Sequence, residues 1–147
     1  MIDLWVVKLF RLPRSERRLL VTAALLLTAI KLGLTLLPYR RLRRLVDRLA
    51  RSTPRRRLEP SASPERIARA VTRASRSVPG ATCLTQALAA KVLLDHRGHS
   101  TRVRVGIARA EGALPVAHAW VESDGRVVLG GSDLTRYTPL SLEKERP

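Results

Sequence analysis

Residues 83–131, CLTQALAAKVLLDHRGHSTRVRVGIARAEGALPVAHAWVESDGRVVLGG, decide how this chain is read. Leu84, Ala87, Leu88, Val92 and either Leu94 or Lys91 recur at helical spacing, which predicts a largely buried helix from Cys83 to about His96. Pro79-Gly80 breaks the chain before it, and Gly98 suits the residue just past its end. Next, Val103, Val105 and Ile107 alternate with Arg102, Arg104 and Gly106, the pattern of a half-buried strand. Val116 to Glu122 and Arg126 to Leu129 then flank Asp124-Gly125, a strong signal for a tight hairpin. A helix followed by three antiparallel strands makes an α+β layer.

The same stretch carries the chemistry. Cys83, the only cysteine, falls in the first turn of its helix, where unpaired N–H groups and the dipole favour a thiolate. Those N–H groups also suit the oxyanion of a tetrahedral intermediate. On the first hairpin arm His118, Trp120 and Glu122 share one face, and Ala117, Ala119 and Val121 the other. Packing of the His118 face on the start of the Cys83 helix would pair thiol with imidazole, an activated nucleophile. The plainer reading makes Cys83 a small core thiol. Trp120 is either a substrate-groove wall or a core aromatic, and Gln86, one turn into the helix, faces either the core or the site. His96 and His99 flank the helix C-terminus, and a metal site needs more ligands than this pair. No metal is expected.

Working outward toward the N-terminus, SVPGAT (77–82) is a turn, and Ser63-Pro64-Glu65 starts a helix with Ile67, Ala70, Val71 and Ala74 on one face. Residues 52–63 read as a linker rich in Pro, Ser and Arg. Before it, YRRLRRLVDRLARS sets Leu42, Leu45, Val46 and Leu49 in a single stripe on an arginine-covered helix. That helix is either a solvated surface or a docking face for an acidic partner or lipid headgroups. Leu19 to Leu37 is nearly continuous apolar sequence, long enough to span a bilayer, although Lys31 and Gly33 interrupt it. A buried or partner-packed helix, a membrane-associated one and a true span all remain open. Ser15 is a candidate cap for its start, and Leu4 to Phe10 is a short apolar patch. Two regions follow: residues 1–58, helical, basic and apolar, and residues 59–147, the α+β core.

The chain of 147 residues carries 28 Lys and Arg against 12 Asp and Glu, a net charge of +16. This balance favours an anionic partner, or its arginine abundance reflects a GC-rich genome. Aromatics are only 3% of residues, too few for base-stacking on single strands, and no zinc-finger, RNP or phosphate-loop pattern occurs. Nucleic acid is therefore not an expected partner. One cysteine forms no internal disulfide, and MIDLWVVKLFRLPRSERR lacks the features of a signal peptide. The expected compartment is the cytoplasm, with membrane-surface contact through the N-terminal region left open.

CLTQALAAKVLLDHRGHSTRVRVGI, AHAWVESDGRVVLGG and YTPL (137–140) resemble the transglutaminase-like (papain-like) cysteine peptidases of lasso-peptide biosynthesis. RLPRSERRLL and LPYRRLRRL resemble the N-terminal half of those enzymes, so the likeness covers nearly the whole chain. It implies Cys83 as nucleophile and His118 as general base and then acid, with no cofactor. It implies removal of a leader from a ribosomally made precursor, with threonine preferred at the penultimate leader position. It also implies two partners: a separate leader-recognition protein, for which this chain looks too short to contain the domain, and an asparagine-synthetase-like macrocyclase. Relatives place an aspartate on the strand returning from the histidine; here Gly130 stands there, and Asp133 is the nearest substitute. A two-residue turn at Asp124-Gly125 would pair His118 with Gly131 and set Asp133 diagonally on the same face; a three-residue turn would put it on the other. Two alternatives remain: another thiol acyl-transfer enzyme, such as a transglutaminase or amidase, and a non-enzymatic basic adaptor for membrane or nucleic acid.

Overall fold

The computed structural model describes residues 2–51, 62–109, 112, 114–131 and 134–140, with side chains from Val6 onward. The N-terminal patch is a short helix, α1 (Ile2–Phe10). The long apolar run is α2 (Arg14–Leu36), which begins earlier than its apolar residues suggest. Ser15 is not its cap: Pro13 holds that position at φ −53°, without any side-chain capping bond. Proline's ring sets the helical entry angle by itself. Ser15 Oγ lies in the first turn and accepts instead from Arg66 Nη2 at 3.4 Å.

After Pro38 comes α3 (Tyr39–Arg51). Its expected stripe divides: Leu42 and Val46 are buried with Ala50, while Leu45 and Leu49 are exposed. A straight i, i+4, i+8 seam is what one neighbouring helix can cover, and α3 lays that seam on α5. Its arginines cover the remaining faces, so α3 is neither fully solvated nor wholly a docking helix. The next helix, α4 (Pro64–Ser75), starts as its sequence predicts, with Ser63 Oγ accepting from the Arg66 N–H and proline at the first position. Ser63→Ala is expected to cost about 1 kcal/mol of stability. Equilibrium urea unfolding of the two proteins measures it.

The centre of the molecule is α5 (Cys83–His96), capped by Thr82, whose hydroxyl accepts from the Thr85 N–H at 3.3 Å. Thr85, Ala87 to Ala90 and Val92 to Leu94 are all buried, so α5 is enclosed on every side. An apolar helix without a polar face has to be enclosed. Neighbours α2, α3 and α4 pack around it, and the sheet closes the remaining side. His96 and His99 tie the end of α5 to α3 and to the segment before α4 through Nε2, donating to the carbonyls of Leu49 (2.6 Å) and Ala62 (3.1 Å). Among the described residues no group of three His, Cys, Asp or Glu is placed to hold a metal.

The sheet is antiparallel in the order β3-β2-β1-β4, from β1 (Thr101–Ala108), β2 (Val116–Ser123), β3 (Arg126–Leu129) and the short β4 (Thr138–Pro139). The hairpin forms about Asp124-Gly125 as expected, and of the two turn lengths left open it takes the two-residue one, with Asp124 at φ 50° and Gly125 at φ 77°, the left-handed pair of a tight turn. Buried residues of α2, α3, α4, α5 and the sheet form one continuous hydrophobic cluster. The N-terminal helices and the rest of the chain thus share a core. The boundary read between residues 58 and 59 lies outside the described residues. The architecture is α+β, with helices on one face of an antiparallel sheet.

Candidate functional site

Topology brings Cys83 and His118 to one end of the layer. The connection from α5 to β1 is short, so β1 runs back along the helix. Cys83 stands roughly 20 Å up the helix axis from His96, at about 1.5 Å per residue. Gly106, opposite His118 in the ladder, stands roughly 17 Å up β1 from Thr101, at about 3.3 Å per residue. Cys83 is half-buried against the edge of the core and is the first residue of α5. Thr82 takes the Thr85 N–H through its hydroxyl and the Gln86 N–H through its carbonyl, which leaves those of Cys83 and Leu84 without a bond to Thr82. Gln86 is half-buried one turn further along, on the same side of the helix as Cys83.

Among the described residues, three contacts hold His118. Its Nε2 donates to the Gly130 carbonyl at 2.8 Å. Tyr137 lies against its ring at 5.0 Å between centroids, and Trp120 stacks beside it at 6.3 Å. A carbonyl only accepts, so Nε2 carries the proton in this bond and Nδ1 keeps the basic lone pair of the neutral ring. Among the described residues, no carboxylate takes part in orienting the ring.

The strand alternation is as expected, but the packed face is the opposite one. Ala119, Val121, Val103 and Leu129 join the core with α5. His118, Trp120 and Glu122 line the outer face, where Gly106 leaves room for Trp120 and Tyr137. A Cβ at Gly106 would come within 2.9 Å of both. Trp120, 3% exposed, donates Nε1–H to Glu122 at 3.2 Å, and Glu122 also meets Arg104 at 3.4 Å. Trp120 is therefore a packed residue of this second, smaller cluster. The packing follows from size: small Ala119 and slender Val121 admit the close approach of α5, which a tryptophan at either place would block. Among the described residues, Cys83 makes no hydrogen bond to His118.

The hairpin ladder on which the placing of a third acid depended is not regular. The ladder pairs Glu122 with Val127 and then Val121 with Leu129, a bulge that inserts Val128 and ends the described pairing there. The expected pairing of His118 with Gly131 does not form. Asp133 lies outside the described residues. Gly130 sits at φ 74°, and a Cβ there would approach the Ala119 carbonyl to 2.9 Å and His118 Nε2 to 3.3 Å. Gly130→Asp, the obvious way to supply an acid at this point, is therefore expected to destabilise the protein by about 1–3 kcal/mol. It should also displace the His118 ring, seen as altered imidazole NMR shifts. Unchanged unfolding and shifts would contradict this geometry.

Tyr137 is the residue that the reading of the sequence left without a role. Its only signal was its place in YTPL, and a two-residue strand, β4, delivers it beside Gly106. Such a strand is too short to show in alternation.

Neither the search of curated proteins nor that of solved structures returned a match. Residues 24–142 match the family model described as transglutaminase-like superfamily. The match takes in α3, α4, α5, all four strands and most of α2, and with them both Cys83 and His118. This chain belongs to the transglutaminase-like superfamily.

Proposed function

We propose that the protein is a cysteine peptidase that removes the leader from a lasso-peptide precursor in the cytoplasm. It would act with a separate leader-recognition protein and an asparagine-synthetase-like macrocyclase. The observation that carries this reading is Cys83 at the first turn of α5, within the stretch that matches the transglutaminase-like superfamily and that also contains His118. His118 Nδ1 takes the thiol proton, and the thiolate adds to the scissile carbonyl. The oxyanion rests on N–H groups of the α5 first turn. Collapse breaks the C–N bond, and His118 returns the proton to the leaving amine, leaving the leader as a thioester on Cys83. Water, activated by the same nitrogen, hydrolyses it. Sγ and imidazole are not hydrogen-bonded among the described residues, and His118 lies on the sheet face turned away from α5, so this mechanism requires a rearrangement on substrate binding that brings the imidazole to the thiol. Trp120 would support the site by holding the His118 ring, and Gln86 is proposed to meet the substrate beside Cys83. No metal or cofactor enters these steps.

Transfer of the same acyl group to an amine instead of water is the nearest alternative. The outward face of His118 and the glycine at 130 favour a third reading, a non-enzymatic basic adaptor. One experiment separates them. Precursor and recognition protein are mixed with wild type or Cys83→Ala, with and without an added primary amine, and peptide masses are followed. Free leader and core from wild type alone support the peptidase. An amine adduct of the leader indicates acyl transfer, and no product with a verified cognate set indicates the adaptor.

A further inference from the structure

The outer face of α2 has chemistry that a water-facing helix does not need. Leu19, Ala23, Leu27 and Ile30 turn to the core. On the other side Arg14, Arg18, Val21, Leu25, Thr28, Leu32 and Leu36 are all exposed, and steps of three and four residues keep them in one narrow stripe. Leu25 is 67% exposed and Leu36 77%. The helix has a mean hydropathy of 2.1 over its most apolar window, of which only 22% is buried.

Polar groups along this stripe are already satisfied within the protein. Thr28 Oγ1 donates to the Ala24 carbonyl at 2.8 Å, and Thr35 Oγ1 to that of Lys31 at 2.9 Å, which leaves their methyl groups to face outward. Lys31, the one charge between Arg18 and Arg40, donates its ammonium N–H to the Pro79 carbonyl on the turn before α5. The ends of the stripe are the reverse. Arg14 and Arg18 stand at one end, and the exposed Phe10 of α1 lies under the neighbouring Arg17. Tyr39, Arg40 and Arg41 stand exposed at the other.

We propose that this face seats the protein on an anionic lipid bilayer, with α2 lying in the plane of the interface. An apolar stripe with its hydrogen bonds closed internally and guanidinium groups at both ends fits the boundary between acyl chains and anionic headgroups. Spanning is incompatible with the fold, because Leu19, Ala23, Leu27 and Ile30 are part of the core shared with α4 and α5. Lipid therefore meets one face only. The inference is independent of the acyl-transfer reading, since none of these residues lies at Cys83 or His118.

The test is co-sedimentation with vesicles of phosphatidylcholine alone or with about one-third phosphatidylglycerol, at low and high salt. Wild type should partition at least tenfold more strongly onto the anionic vesicles. Leu25→Glu with Leu32→Glu should reduce that binding at least tenfold, and the milder Leu25→Thr with Leu32→Thr several-fold, with melting temperatures unchanged. Arg18→Gln with Arg40→Gln should remove much of the preference for anionic lipid. Failure of wild type to bind anionic vesicles at low salt overturns the proposal. So does binding that the leucine variants leave intact, which would be attraction of a basic protein to charge alone. Self-association, or binding to the recognition protein, that the leucine variants abolish without any vesicle binding would assign the face to a protein partner instead.

Discussion

Cys83→Ala is expected to lower the rate of leader release by on the order of 10⁴-fold or more, with the folded structure intact. The side chain lost is small and only half-buried, so its removal opens little space in the core. In the proposed mechanism the same position carries the whole covalent step, because the chain has no other cysteine to form the thioester. His118→Ala should approach the same loss, and the double variant should be little worse than either single one, since thiol and base act as a unit. Single-turnover assays by mass spectrometry, with circular dichroism as the check on folding, measure all three. A folded Cys83→Ala protein that still cleaves at near the wild-type rate would remove the acyl-enzyme mechanism. Loss of cleavage in the Cys83 variant with full activity in His118→Ala would leave the thiol and assign its base elsewhere.

Trp120→Ala is expected to be the most destabilising single change on the outer face, by about 3–5 kcal/mol. The indole is 3% exposed, fills the space above Gly106, and ends in a hydrogen bond to Glu122. At roughly 2–4 °C per kcal/mol for a domain of about this size, the melting temperature should fall by roughly 6–20 °C. Trp120→Phe should keep most of the packing and lose mainly the Nε1 bond, a cost of about 1 kcal/mol. Thermal unfolding of the two variants, together with KM and kcat, separates packing from substrate contact. A Trp120→Ala protein with unchanged melting and a raised KM would make the indole a groove wall instead.

The sequence by itself determined the elements with strong local signals. Ser63-Pro64 places a cap, the apolar positions of 84–94 at helical spacing make a buried helix, and Asp124-Gly125 makes a tight hairpin turn. It also determined the order of those elements, and hence the short return from α5 to β1 that sets Cys83 and His118 level. Alternation settled which residues of β2 share a face, because the pleat allows only two sides. Which side would meet α5 was a matter for the tertiary structure alone. Trp120 is the largest apolar residue of the strand and reads as the core side, yet only Ala119 and Val121 let the helix approach, and Tyr137 from distant β4 covers the indole instead. The bulge at Val121–Glu122 was equally hidden, since one extra residue in a ladder leaves no mark on composition or spacing. The partner of His118 is a backbone carbonyl, that of Gly130, and a carbonyl belongs to every residue. No residue type signals it; only the folded path of the chain brings it to the ring.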